Sequence, residues 1–165
     1  MAKIAVIMGS KSDFGVVKPA VSIINNFGVE TEVRVISAHR TPEEAHRFSK
    51  EARENGIEVI ICAAGKAAHL GGVIAANTTL PVIGLPVKTD MMGGLDSLLS
   101  IVQMPSGIPV ACVGVNGGEN AGLLALQILA LKYPEISEKL SEYKLKMQEK
   151  INSDDKELQL ELKQL

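Results

Sequence analysis

Three short polar stretches hold most of the side chains able to do chemistry. Ser37-Ala38-His39-Arg40-Thr41-Pro42 sets an imidazole beside a guanidinium. The guanidinium fork can grip a phosphate through paired N–H groups, and an imidazole changes charge close enough to neutrality to move a proton. Gly9-Ser10-Lys11-Ser12-Asp13 joins a glycine turn to two hydroxyls and a carboxylate. Opening a helix, such a turn offers free N–H groups to a phosphate, and Asp13 suits ribose hydroxyls. Gly65-Lys66-Ala67-Ala68-His69-Leu70-Gly71-Gly72 places a second imidazole among small residues that let a flat ligand approach the backbone. Taken singly, each has a plain structural reading: a helix cap, an exposed loop, a tightly packed helix start. Their coincidence points to one site for a small phosphorylated molecule, with His39 handling its proton. His46 falls inside a helical pattern and reads as a surface residue.

The surrounding patterning says why the three would meet. Each follows an apolar, strand-like run: Lys3 to Gly9, Glu30 to Ile36, and Glu58 to Ala64. Further strands are expected at Pro81 to Pro86 and Pro109 to Val115, with an irregular segment over 87–94. Helices are expected from Ser12 or Asp13 to about Asn26, Pro42 to Asn55, His69 to Asn77, Leu95 to Met104 and Ala121 to Leu131. Pro19 is awkward inside the first of these, and Gly28 ends it. Strands alternating with helices over short connections specify an α/β fold: a parallel sheet of about five strands with helices on both faces. All three stretches then lie at the carboxyl edge, where open α/β sheets bind ligands.

Residues 1–133 are expected to form a single domain and 134–165 a helical extension. Ile136, Leu140, Tyr143 and Met147 make an amphipathic stripe, Asn152 to Asp155 is expected to break the helix, and Leu158, Leu162 and Leu165 share a face beyond it. This extension would pack on the core or, more in keeping with a core complete without it, on a neighbouring subunit.

Composition narrows the function classes. A net charge of -2, with no Trp and only 2 Tyr and 3 Phe, gives no footprint for nucleic acid. No apolar run approaches the ~20 residues of a membrane helix. No leader is recognised before the first strand, so a cytoplasmic protein is expected. Cys62 and Cys112 lie in apolar strands and read as buried, reduced thiols. No Cys or His cluster has metal spacing.

In combination, GSKSD (9–13), SAHRTP (37–42), AGKAAHLGG (64–72), DSLLSIVQMPSGIPV (96–110) and NAGLLALQIL (120–129) resemble the class I N5-carboxyaminoimidazole ribonucleotide mutases of bacterial purine biosynthesis. The resemblance covers nearly the whole chain to about Leu131. It implies a three-layer flavodoxin-like sheet, a homo-octamer with sites at subunit junctions, and a reaction needing neither cofactor nor metal. In that reaction a carboxylate moves from the exocyclic nitrogen of an aminoimidazole ribonucleotide to ring carbon C4.

Carried over by position, Ser10, Ser12, Asp13 and Arg40 would hold phosphate and ribose. Ser37, Gly65, Ala68, His69 and Leu70 would line the imidazole and carboxylate pocket, and His39 would be the general acid and base. Lys66 stands where the resemblance leads one to expect Gly; it would either add a positive charge near the substrate carboxylate or simply face solvent, and solvent is the expectation. Leu70-Gly71-Gly72 and the loop 116–119 also depart from the family pattern. Two alternatives stay open: a direct carboxylase using carbon dioxide, and a non-catalytic nucleotide-binding module. The intact Ala67-Ala68-His69 and His39-Arg40 favour the mutase within the resemblance.

Overall fold

The computed structural model describes residues 2–163. Five strands, β1 (Lys3–Met8), β2 (Glu30–Val35), β3 (Val59–Ala64), β4 (Val82–Pro86) and β5 (Ala111–Cys112), form one sheet in the order β2-β1-β3-β4-β5. Every neighbouring pair is parallel. This is the flavodoxin-like order, in which the chain reverses its direction of winding between β1 and β3.

The continuous apolar runs of β1 and β3 are explained by burial on both faces. Ile4, Val6 and Met8, with Val59, Ile61 and Ala63, face a core shared with α1 (Phe14–Asn26) and α5 (Gly118–Ala130). Ala5 and Ile7, with Ile60, Cys62 and Ala64, face a second core. That core is closed by α2 (Pro42–Glu51), α3 (Leu70–Ala75) and Ile101 of α4 (Leu95–Val102). Burying one such isoleucine is worth roughly 1.5–3 kcal/mol. β2 is an exposed edge, with Val33 and Val35 open to solvent.

Two helices close with the same device. Gly28 takes a φ of 77° and donates to the Asn25 carbonyl while Val29 donates to Ile24. Gly56, at a φ of 78°, donates to Arg53 while Ile57 donates to Ala52. Both are Schellman closures, which need a left-handed residue that glycine supplies cheaply. The regular part of α2 therefore ends at Glu51, and the expected extension to Asn55 is its closing turn. α1 runs through Pro19 without interruption and starts at Phe14, after a 3₁₀ turn over Lys11–Asp13.

Several expectations are corrected. β5 pairs only at Ala111 and Cys112. Pro109 has no N–H for the ladder. Past Cys112 the chain keeps to β4 through single bonds, from the Val113 N–H to the Gly84 carbonyl and from the Asn116 N–H to the Pro86 carbonyl, with Asn116 at a φ of 58°. Cys112 on this short edge is consequently half-buried, whereas Cys62 is fully enclosed and burial pushes its thiol far up. α5 begins at Gly118, three residues early, because its glycines belong to the helix contact. A Cβ on Gly118 would strike the Val16 carbonyl, and one on Gly122 would strike Ile23.

The C-terminal extension is one helix, α6 (Pro134–Leu162), unbroken at Asn152 to Asp155. Those residues lower helix propensity by only tenths of a kcal/mol each, and neither Gly nor Pro is among them. Ile136 is buried in the α1/α5 core, and Leu140 and Tyr143 pack against that core. The start of α6 thus packs on its own core. Beyond it Met147, Ile151, Leu158 and Leu162 are exposed. Leu165 lies outside the described residues.

Candidate active site at the carboxyl edge of the sheet

The turns after β1, β2 and β3 meet above the point where the winding reverses. After β2 the backbone closes on itself. The Thr41 N–H and hydroxyl both donate to the Ser37 carbonyl (2.8 and 3.0 Å), and the Thr41 hydroxyl accepts from the Ser37 N–H. Thr41 therefore braces the turn instead of capping α2. Arg40 is held from both sides: Nε donates to Ser37 Oγ at 3.3 Å, and a terminal nitrogen donates to the Gly9 carbonyl at 2.8 Å. The second bond ties the β2 turn to the β1 turn. It leaves the other terminal nitrogen of the fork for a ligand.

In the β1 turn, Ser10 Oγ accepts from both the N–H and the hydroxyl of Ser12. The Ser12 hydroxyl also reaches Asp13. In the β3 turn, Lys66 takes a φ of 58°. Such a left-handed backbone costs a residue with a Cβ roughly 1–2 kcal/mol. It is held by α4: the fully buried Ser97 accepts the Lys66 N–H at 2.9 Å, and the Ser100 hydroxyl donates to the Lys66 carbonyl. Asp96 accepts from the Ser97 N–H and from the Thr89 hydroxyl, and Thr89 chiefly holds its carboxyl below the usual range.

His39 Nε2 lies 3.0 Å from His69 Nδ1, with the rings nearly perpendicular. One nitrogen must donate and the other accept, so the contact admits a single proton between them. A proton taken up by one imidazole can pass along this bond to the other.

Around the pair is an open cavity of about 610 Å³, within the usual range of small-molecule sites. Of the residues expected from sequence, Ser10, Asp13, Ser37, His39, Arg40, Gly65, His69 and Leu70 line it. Ser12 does not line it; it braces Ser10. Ala68 does not line it either, being buried beneath the β3 turn. Lys66 is exposed, in keeping with a solvent-facing side chain, and it also lines the open cavity.

Val87, Lys88 and Thr89 complete the wall. From sequence these fall in an irregular segment, and the available signal is their place just after β4 in a parallel sheet. His46 is exposed on α2, away from the cavity. Among the described residues, no cluster of three or more His, Cys, Asp or Glu is placed to hold a metal ion. No described helix is long and apolar enough to cross a membrane.

Residues 3–150 match the AIR carboxylase family. The chain belongs to that family. It is 60% identical over 144 residues to the N5-carboxyaminoimidazole ribonucleotide mutase of Pyrococcus abyssi, covering 87% of this chain and 83% of the relative. It is 54% identical over 151 residues to the protein of that name from Thermotoga maritima, covering 92% and 88%. The structure of Treponema denticola PurE superposes with a TM-score of 0.88 at 32% identity, over 96% of this chain and 99% of the other. The family match takes in β1 to β5 and all three turns, and it ends within α6.

Proposed function

We propose that the protein is an N5-carboxyaminoimidazole ribonucleotide mutase of purine biosynthesis, an isomerase acting on a small ribonucleotide. The reading is carried by the His39–His69 contact over the β1/β3 crevice, in a chain whose relatives at 54–60% identity bear that name.

Arg40, Ser10 and Asp13 hold the phosphate and ribose, with Ser12 fixing Ser10 from behind. Ser37, Gly65, His69 and Leu70 surround the aminoimidazole, and Ala68 supports them from below. The carboxylate leaves the exocyclic nitrogen as carbon dioxide, and ring carbon C4 then attacks that molecule to form the new carbon–carbon bond. C4 loses its proton and the exocyclic nitrogen gains one, so no net proton is exchanged with solvent. His39 is the general acid and base for that transfer, and its bond to His69 gives the proton a place to wait. Small residues at Ala64, Gly65 and Ala67 wall the region where carbon dioxide must be retained, and excluding water there prevents its loss.

The enzyme acts in the cytoplasm as a homo-oligomer, with an octamer the expected form. Its assembly is supported by the exposed Val33 and Val35 of β2 and by the bare apolar stripe of α6. In this assembly residues 1–133 are the catalytic domain, and 134–165 extend it toward neighbouring subunits.

A stopped-flow ultraviolet assay tests the reaction. Fast conversion of N5-carboxyaminoimidazole ribonucleotide is expected, with conversion of aminoimidazole ribonucleotide only at very high bicarbonate. Efficient use of the second substrate would make the protein a direct carboxylase. Failure with both would leave a binding module.

A further inference from the structure

The cavity is positively charged at two separate places. Arg40 follows β2 and is bonded across to the β1 turn, on one side of the imidazole pair. Lys66 follows β3 and is bonded to α4 on the other side, where Val87 and Thr89 lie against Gly65. The strand order separates them, since β1 lies between β2 and β3. Among the described residues, neither Arg40 nor Lys66 makes an ion pair, although both line the cavity. A ligand with one anionic group has use for one such place. A ribonucleotide whose base carries a carboxylate has two anionic groups, with a neutral ring between them that would lie at the imidazoles.

We propose that Lys66 is a substrate-recognition residue whose ammonium group holds the carboxylate of the base, at the end of the cavity opposite Arg40. The backbone supports this role. Lys66 occupies a left-handed position that would suit glycine better, and Ser97 and Ser100 fix both its N–H and its carbonyl. The stem of the side chain therefore leaves from a rigid point on the same turn as His69. Lys88 also lines this end, but its N–H is anchored to Asn116 on the β5 side, and its backbone is not left-handed. Lys66 is the cation on the β3 turn, which carries His69, as Arg40 is the cation on the β2 turn, which carries His39. An ammonium is a point charge and binds whether the carboxylate sits on the exocyclic nitrogen or on C4, so the contact aids recognition of substrate and product alike.

The inference rests on the proposed mutase reading, and the test separates the two. Lys66→Gly and Lys66→Asn remove the charge while keeping a residue that accepts the left-handed backbone. Calorimetric binding is measured for 4-carboxy-5-aminoimidazole ribonucleotide and for aminoimidazole ribonucleotide, which lacks the carboxylate. Both variants are expected to bind the carboxylated ligand about tenfold more weakly, about 1.4 kcal/mol. The uncarboxylated ligand should bind within about twofold of wild type, and Lys66→Arg should restore the difference. In turnover, KM for the N5-carboxylated substrate should rise with kcat nearly unchanged.

Equal weakening of both ligands, or no weakening of either, would overturn the role of Lys66. Wild-type protein that binds both ligands but turns over neither would refute the mutase reading. The binding comparison would still decide the role of Lys66.

Discussion

The two edges of the sheet treat charge in opposite ways. At the amino edge, charged groups satisfy one another. Lys3 Nζ lies 2.8 Å from Glu32 and 3.5 Å from Glu30, and both oxygens of the Glu58 carboxylate are occupied by Lys132 and Tyr133. At the carboxyl edge, no ion pair among the described residues involves Asp13, Arg40, Lys66 or Lys88, although all four line one cavity. Closed networks stabilise a fold, whereas charged groups held in place without an ion-pair partner are available to a ligand. The comparison predicts that substitutions will separate cleanly, with turnover lost at one edge and stability at the other.

The largest effect is expected at His39. Changing it to Asn keeps a polar side chain but removes the group we propose takes the C4 proton. Turnover should fall by about 10²–10⁴-fold, the usual range for a lost general acid or base. Substrate affinity should stay within about tenfold. Because His39 is exposed, its urea midpoint should correspond to a change of no more than about 0.5 kcal/mol. Retained turnover in single-turnover assays would remove His39 from the chemistry and erase the contrast at its strongest point.

The layer beneath gives the reverse outcome. Gly122 of α5 faces Ala20 and Ile23 of α1, and a Cβ there would lie 3.0 Å from the Ala20 carbonyl oxygen. Gly122→Val overpacks the seam and should cost about 2–3 kcal/mol, read from urea unfolding. Activity per folded molecule should be preserved, since neither Gly122 nor the Ala20 and Ile23 it faces lines the cavity. A stable but inactive Gly122→Val would mean that the seam transmits to the site and that the two regions are not independent.

How legible these features were in sequence follows from how local their causes are. β1 and β3 are apolar runs that only a doubly covered strand explains, so the parallel sheet and its ligand edge could be read directly. The three turns could be placed at that edge because each directly follows such a run. The direct contact of His39 with His69 was not readable, because it depends on two turns crossing β1 and on the ring orientations. The place of Lys66 on the cavity wall was not readable, because its backbone is held by Ser97, 31 residues away. Val87 to Thr89 carry no sequence signal except their place after β4. Gly117 and Gly118 read as a loop leading into the helix until the closeness of α1 to Gly118 is known. The unbroken α6 shows the weakness of propensity as a guide when good helix formers flank a poor stretch.

The smallest expected effect belongs to the amino edge and carries a pH dependence. Burial acts to raise the Glu58 carboxyl, but the hydrogen bonds from Lys132 and Tyr133 together outweigh it and hold the group below its ordinary value of 4.5. A carboxyl lowered in the folded state adds stability that is present above pH 4.5 and is lost as pH falls through the folded value. Tyr133→Phe removes the 2.6 Å hydrogen bond to Glu58 and leaves the rest of the ring in place. It should cost about 1 kcal/mol at neutral pH. The gap between variant and wild type should narrow as pH falls below 4.5 and Glu58 takes up its proton in both. Turnover should be unchanged, because Tyr133 lies at the end of the sheet opposite the cavity. A gap constant with pH would mean that the Tyr133 hydroxyl stabilises the fold by some means other than the Glu58 charge. A loss of turnover would show that the two edges are coupled after all.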